Sequence, residues 1–245
     1  VQGKWNIRLV KHVLNRSVDC ITVREPDSQA ELASYGVDRP KILLSSDPAL
    51  ALEPASQEDT ELYLRRQGVD PNGEYLCLML RTWYGFSDKA QEIAQAADYA
   101  YERYGLKPLF LSLNVVHDSK AARQVAPFMK APWALIDDGA EPELLISLLS
   151  RMKVAVAMRL HGLILSSVSG VPLVGISYDP KIGAFLKYLE TGSCFDLNEV
   201  TAEGLKKAID QAVAQIPQRA ELAAKAERLK SVEGTNRQAF RELLP

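Results

Sequence analysis

The residues with the clearest chemical potential are Arg159 and His161, in the run Met-Arg-Leu-His-Gly of residues 158–162. The apolar residues 154–158 predict a buried strand, and the residues that follow predict a helix that begins without a spacer. His161 and the amides of Gly162 and Leu163 would then share a helix amino terminus, where unpaired N–H groups and the helix dipole favour anions. This run therefore predicts a binding site for an anionic substrate.

Polar residues also follow the other apolar runs of the chain. Ligands of open parallel sheets bind beyond the carboxyl ends of the strands, so these positions are candidates for one site. Any single one could be an ordinary surface residue, since loops are polar in any case. Together they predict an edge rich in anion-binding groups. The positions are Arg24, Glu25, Asp47, Arg81, Asn114, His117, Asp137, Asp138, Arg159, His161, Asp179 and Lys181.

The elements that position these residues alternate between short apolar runs and amphipathic helices, which predicts an α/β fold with parallel sheets. Most of the runs are apolar throughout, as expected of strands covered on both faces. One helix is predicted from an N-cap at Ser87 to a stop at Gly105, and another from Glu143 to Met152 after Pro142. The predicted strands cover residues 20–23, 42–44, 75–80, 109–113, 133–136, 154–158 and 173–176.

Changes in this pattern predict the domain organisation. Residues 53–73, rich in Glu, Gln, Asp and Pro, predict a linker between the carboxy-terminal part of a first α/β domain, residues 1–52, and a second one, residues 74–200. Residues 201–245, broken by Pro217, predict closing helices. The chain starts with Val1 in a helical pattern, so we expect an amino-terminal part of the first domain to be missing.

Composition excludes several classes of protein. Acids and bases nearly balance, with a formal charge of -2, which argues against nucleic-acid or membrane binding driven by bulk charge. Cys20, Cys77 and Cys194 form no CxxC pair and are expected to be buried free thiols. No apolar stretch is long enough to span a bilayer and no signal peptide opens the chain, so we expect a cytoplasmic protein.

Known cofactor and hydrolase motifs are absent from the sequence. It contains no Walker A loop, GxGxxG, HExxH or GxSxG pattern, which argues against ATP, nicotinamide and serine-hydrolase chemistry. The three histidines lack metal-ligand spacing, although Asp137 and Asp138 could help to hold a divalent ion. We expect no cofactor and no metal.

Several segments in order resemble the motifs of the polysaccharide pyruvyl transferases. The resemblance covers most of residues 19–190, and the subgroup it suggests is the CsaB type, which acts on secondary cell-wall polysaccharide. The family's glycine-rich amino-terminal segment has no counterpart here. The segments are residues 23–28 (Val-Arg-Glu-Pro-Asp-Ser), 35–37 (Tyr-Gly-Val), 46–49 (Ser-Asp-Pro-Ala), 80–83 (Leu-Arg-Thr-Trp), 158–164 (Met-Arg-Leu-His-Gly-Leu-Ile) and 170–181 (Gly-Val-Pro-Leu-Val-Gly-Ile-Ser-Tyr-Asp-Pro-Lys).

The resemblance implies a GT-B-like architecture of two Rossmann-like domains, and transfer of a pyruvyl group from phosphoenolpyruvate to a sugar. It implies donor binding by Arg81 and Arg159, with Lys181 as a third cation, and proton transfer by His161 as general acid. His161 could instead hydrogen-bond the departing phosphate. We expect Arg24, His117 and Asp179 to bind substrate as well. The implied acceptor is N-acetylmannosamine in a lipid-linked glycan at the inner face of the membrane.

Two other functions compete with this one. A GT-B glycosyltransferase that uses a nucleotide sugar would also gather Arg, Lys and His around a diphosphate, so the fold does not separate it from a pyruvyl transferase. A non-catalytic glycan-binding module is the other alternative. We expect few exposed aromatic residues to stack on sugars, which argues against such a module.

Overall fold

The computed structural model describes residues 3–243, and residues 1, 2, 244 and 245 of the first and last predicted segments lie outside that part. The described chain alternates strands and helices as predicted. The strands are β1 Cys20–Val23, β2 Lys41–Leu44, β3 Tyr75–Met79, β4 Lys107–Leu111, β5 Ala134–Ile136, β6 Val154–Ala157, β7 Leu173–Ser177 and β8 Ser193–Asp196. The helices are α1 Lys4–Ser17, α2 Pro26–Ser34, α3 Gln57–Arg66, α4 Ala90–Tyr104, α5 Val115–Val125, α6 Pro142–Ser150, α7 Leu160–Val168, α8 Lys181–Leu189, α9 Ala202–Ala214 and α10 Arg219–Leu243.

The chain divides into two compact units. Of the described residues, the first unit contains 3–51 and 227–243, and the second contains 52–226. In the first unit β1 and β2 pair in parallel, and the last part of α10 is tied to the loop after β2. The hydroxyl of Ser46 donates to the carbonyl of Leu229 at 2.6 Å, and Asn236 Nδ2 donates to the carbonyl of Ser46 at 3.1 Å.

The second unit is built on a six-stranded sheet in the order β5-β4-β3-β6-β7-β8, and every pair of neighbouring strands is parallel. From β3 the chain adds β4 and β5 on one side. It then crosses to β6 on the other side of β3, and adds β7 and β8 beyond β6. This is the doubly wound Rossmann order, and its direction reverses between β3 and β6. Such a reversal opens a crevice at the carboxyl ends of those two strands.

The central strand β3 is buried on both faces. Leu76, Leu78 and Leu80 belong to one hydrophobic cluster, which also includes residues of α4 and α9. Cys77 and Met79 alternate with them and are also fully buried. Because the strand has no polar face, its polar residues come only after its end, and this brings Arg81 to the sheet edge.

Residues 53–73, predicted as a linker, contain helix α3. Ser56 caps this helix by accepting the amide of Asp59, and the helix contacts α6 of the same unit. Thr60 Oγ1 donates to Ser147 Oγ at 2.9 Å, and both side chains are buried. This segment is therefore part of the second unit.

Some predictions of helix ends, strands and cysteine burial are confirmed, and others are wrong. Gly105 ends α4 in the left-handed region, as predicted, but Ser87 lies in a 3-10 turn and α4 begins after Lys89. Strand β8 was missed, because Ser193 and Asp196 break its apolar pattern. The expectation of three buried thiols was wrong. All three cysteines are free, but Cys194 is exposed and only Cys77 is fully buried.

Candidate functional site at the carboxyl edge of the second sheet

The pairing of β3 with β6 brings two predicted site residues to the same edge. Met79 pairs with Ala157, and the amide of Met158 donates to the carbonyl of Met79 at 2.9 Å. Arg81 and Arg159 each lie two residues beyond that last pair. Both arginines therefore lie at the reversal point of the sheet, where ligands of this fold bind.

Helix α7 starts directly above the end of β3. A Cβ at Gly162 would lie 2.6 Å from Met79 Sδ, so any larger residue here would require the Met79 side chain to shift. His161 is the second residue of the helix and is exposed. The amide of Leu163, predicted to face an anion, instead donates to the carbonyl of Arg159 at 3.2 Å.

Arg159 forms an ion pair that the sequence did not predict. Its Nε donates to both carboxylate oxygens of Asp118, at 2.9 and 3.1 Å, and its Nη2 donates to Oδ1. The Asp118 side chain is 1% exposed and that of Arg159 is 18% exposed. Asp118 also accepts the amides of Leu113 and Asn114. Much of the Arg159 fork is therefore used to fix the loop after β4 against the start of α7.

Arg81 has quite different surroundings. Its Nη1 donates to Tyr178 Oη at 2.7 Å, and its guanidinium lies 5.0 Å from the Trp83 ring centre and 4.8 Å from that of Tyr178. Its Nε is buried without a hydrogen-bond partner. Among residues 3–243 no carboxylate forms an ion pair with Arg81. Aromatic rings hold this cation in place without neutralising its charge.

Lys181 and Asp179 lie beside this group, after β7. Lys181 Nζ lies 5.6 Å from the ring centre of Tyr178 and 3.3 Å from Asp179 Oδ2. Asp179 Oδ1 accepts the amide of Lys181 at 3.1 Å, which orders the first turn of α8. The two residues thus share an edge with Arg81, and Lys181 already has an acidic neighbour.

His117 lies at the same edge but is held in another way. It is exposed in the first turn of α5, and its amide donates to the side chain of Asn114 at 3.2 Å. Asn114 is the N-cap of this helix. His117 therefore flanks the loop that Asp118 secures, one residue before the carboxylate that binds Arg159.

Arg24 belongs to the first unit. Its Nε donates to Glu25 at 3.0 Å and its Nη1 donates to Asp47 at 3.1 Å, so its charge is paired there. Its participation in a site with Arg81 stays a prediction.

The two aspartates proposed for a divalent ion are engaged by other side chains. Asp138 accepts hydrogen bonds from Tyr63 Oη and from Gln67 Nε2, the latter at 2.6 Å. Burial, and after it the hydrogen bond to Asp138, raises the pKa of Tyr63. Asp137 lies 3.4 Å from Arg123 Nη2. In the described chain, no three His, Cys, Asp or Glu side chains are grouped closely enough to hold a metal ion.

Sequence reasoning missed Asp118 and Tyr178 as members of this site. Tyr178 lies in the motif of residues 170–181, but the sequence did not indicate that its hydroxyl would contact Arg81. Asp118 had no local signal, because its partner lies 41 positions away. The expectation of few exposed aromatic residues was also wrong, since Trp83 is 49% and Tyr84 is 92% exposed.

Solved structures of low sequence identity share the fold of this chain. Anabaena HepE, solved with UDP and glucose, superposes with a TM-score of 0.62 at 14% identity, over 99% of this chain and 68% of that one. A glycosyltransferase from Rickettsia africae gives 0.62 at 13% identity, over 96% of this chain and 66% of its own. WaaG, a glycosyltransferase involved in lipopolysaccharide biosynthesis, gives 0.53 at 12% identity, over 88% and 60%. The predicted fold class is confirmed: α/β with parallel sheets, and GT-B-like.

The sequence itself identifies the family within that class. The family model of polysaccharide pyruvyl transferases matches residues 1–180. This chain belongs to the polysaccharide pyruvyl transferase family, as its motifs suggested. No curated protein gives a significant match. In the described part of the chain, no helix has the length and apolar character needed to cross a membrane.

Proposed function

We propose that this protein transfers the pyruvyl group of phosphoenolpyruvate to a sugar of a cell-wall polysaccharide, forming a ketal and releasing phosphate. The observation that carries the proposal is the state of Arg81. It lies at the reversal point of the sheet, with an aromatic cage, an unpaired buried Nε and no carboxylate partner in the described chain. Leaving a buried donor unpaired is costly, so binding an anion there is favourable.

The donor fits such a site because it carries about three negative charges at neutral pH and presents phosphate and carboxylate groups that arginine binds well. Arg81 is the first donor-binding residue in this proposal. Lys181 is the second, although Asp179 at 3.3 Å offsets part of its charge. Arg159 contributes Nη1, since its other nitrogens engage Asp118.

Ketal formation needs a proton at the methylene carbon of the donor, and we assign its delivery to His161. The double bond takes up this proton, and the neighbouring carbon becomes electrophilic. One acceptor hydroxyl adds to that carbon, the bond to the phosphate oxygen breaks, and a second hydroxyl replaces the phosphate. The two hydroxyls release two protons, one of which restores the histidine while the other leaves with phosphate.

The structure supports His161 in this role through its position. It is exposed on the first turn of α7, two residues from Arg159, whose guanidinium is paired with Asp118. A general acid must be held within hydrogen-bond reach of its target, and a rigid helix start provides that. The other role, a hydrogen bond to the departing phosphate, uses the same position.

The acceptor in this proposal is an N-acetylmannosamine unit of a lipid-linked or polymeric glycan. That choice, and a cytoplasmic location at the inner face of the membrane, rest on the resemblance to the CsaB type. His117, Asp179 and Arg24 remain candidates for acceptor or donor contacts.

The competing function is transfer from a nucleotide sugar. It is favoured by the likeness to structures such as HepE with UDP and glucose, which at 14% identity is a likeness of fold. Calorimetric titration with phosphoenolpyruvate and with UDP separates the two. Our proposal predicts saturable binding of phosphoenolpyruvate that Arg81→Gln abolishes. Tighter binding of UDP than of phosphoenolpyruvate would support the glycosyltransferase instead.

A further inference from the structure

Trp83, which contacts Arg81, and the next residue, Tyr84, are two exposed aromatic residues on one turn. The amide of Phe86 donates to the carbonyl of Trp83 at 3.1 Å, and Gly85 has φ 79° and ψ -4°. These angles are those of the third residue of a type II turn, a position that favours glycine. Phe86 is 1% exposed and anchors the turn in the core. Tyr84, at the tip, is 92% exposed.

The Trp83 ring contacts Tyr178 and Arg81. Its centre lies 4.6 Å from that of Tyr178, with the planes tilted by 44°, and the Arg81 guanidinium lies 5.0 Å away. These contacts fix the ring while 49% of the residue stays exposed. An aromatic ring fixed beside a cationic site, with a free surface, is preorganised for a second ligand.

We propose that Trp83 and Tyr84 form the platform on which a pyranose ring of the acceptor glycan lies. This inference rests on the proposed function, because it assumes that the donor occupies Arg81. It identifies the acceptor subsite and states how the sugar is recognised, through the C–H face of its ring.

The chemistry of aromatic and pyranose rings explains why we propose a sugar as the ligand of this platform. The face of an aromatic ring is electron-rich, and the C–H groups on one face of a pyranose carry partial positive charge, so the two faces attract. Ligand sites combine such apolar contacts with a few polar groups that fix orientation. Here the polar groups next to the platform are Arg81, Lys181 and the hydroxyl of Tyr178. A sugar on the platform would hold its hydroxyls beside a donor at Arg81.

Tyr84→Ala is the cleanest test, because Tyr84 lies at the exposed tip of the turn and Trp83 also contacts Arg81. The probe is the methyl glycoside of N-acetylmannosamine, and its binding is measured by saturation-transfer NMR and by acceptor KM with phosphoenolpyruvate as donor. We expect Tyr84→Ala and Trp83→Ala to weaken probe binding about 10-fold, a typical truncation at a well-packed aromatic contact. Tyr84→Phe should stay within about twofold of wild type, because it keeps the ring.

Tyr101→Ala provides the matched control, since Tyr101 is an aromatic residue of α4, 38% exposed, outside the Arg81 group. It should leave probe binding unchanged. Unchanged probe binding in both Tyr84→Ala and Trp83→Ala would overturn the platform. So would a Tyr84→Ala variant that loses affinity for phosphoenolpyruvate instead of the glycoside.

The test also separates this inference from the function on which it rests. Wild-type protein that binds the glycoside through Trp83 and Tyr84 but not phosphoenolpyruvate would refute the donor assignment and keep the platform. Protein that binds phosphoenolpyruvate normally, with a glycoside affinity indifferent to both residues, would refute the platform alone.

Discussion

Arg81 and Arg159 have the same residue type and the same position relative to neighbouring strands, yet their surroundings differ. Arg159 is paired through two of its nitrogens with the carboxylate of Asp118, whose side chain is 1% exposed. Arg81 is surrounded by Trp83 and Tyr178, has a buried Nε without a partner, and forms no ion pair in the described chain. One arginine is neutralised within the protein, and the other has no acidic partner in the described chain.

The difference shows that position at a strand end does not by itself define a binding residue. A buried ion pair with hydrogen-bonded partners mainly fixes geometry, and breaking it is costly. A cation held by aromatic rings keeps most of its electrostatic attraction for an anion. We therefore assign donor binding mainly to Arg81, and the support of the helix α7 start mainly to Arg159 with Asp118.

Substitution of His161, which lies on the helix whose start Arg159 supports, should have the largest effect on turnover. His161→Ala should lower turnover by roughly 10²- to 10⁴-fold with little loss of phosphoenolpyruvate affinity, since a general acid acts chiefly in the transition state. Phosphate release measured at saturating donor checks this. His117→Ala is measured beside it, because His117 is the alternative proton donor. If His161→Ala keeps more than about a tenth of the turnover while His117→Ala loses it, the proton donor is His117.

Substitution of Asp118 tests the structural role that we assign to Arg159. Asp118→Ala leaves Arg159 without its partner and should cost about 3–5 kcal/mol of unfolding free energy, as expected when one member of a buried ion pair is removed. Arg81→Gln leaves no carboxylate unpaired and should cost less than about 1 kcal/mol. Urea denaturation of both variants gives the two values. A larger loss for Arg81→Gln than for Asp118→Ala would reverse the assignment.

Substitution of Gly162 tests whether the close approach of α7 to β3 contributes to stability. Gly162→Ala places a methyl group 2.6 Å from Met79 Sδ in the core, and should cost about 1–3 kcal/mol through overpacking. Gly183 is the matched control, because it is also the third residue of its helix and a Cβ there meets only Cys194 Sγ at 3.8 Å. Melting curves should show a loss for Gly162→Ala alone. Equal losses would mean that the close approach of α7 to β3 is not the cause.

Much of this arrangement could be predicted from the sequence, because strands covered on both faces are apolar throughout and their ends are marked by the first polar residue. The edge residues Arg81, Arg159, His161 and Lys181 were found in that way. The Arg159 pair with Asp118 and the cage around Arg81 could not be found, because they join residues 41 and 97 positions apart. Such contacts depend on the strand order, which no local pattern encodes.

The same limit explains why the exposed aromatic residues were missed. Trp83 and Phe86 are both aromatic and lie in the same short segment, but Phe86 is 1% and Trp83 is 49% exposed. The turn at Gly85 directs the Phe86 side chain into the core and leaves that of Trp83 exposed. The residue types in the segment do not indicate these directions.

Donor affinity and melting temperature, measured together on Arg81→Lys and Arg159→Lys, test the central claim most directly. Lysine keeps the charge and removes the fork at both positions. We predict that Arg81→Lys weakens phosphoenolpyruvate binding about 10- to 100-fold, at 1.4 kcal/mol per decade, with a melting temperature near that of wild type. Arg159→Lys should lower the melting temperature and weaken donor binding by less than about 10-fold. The opposite pattern, with donor affinity lost in Arg159→Lys and kept in Arg81→Lys, would contradict the account.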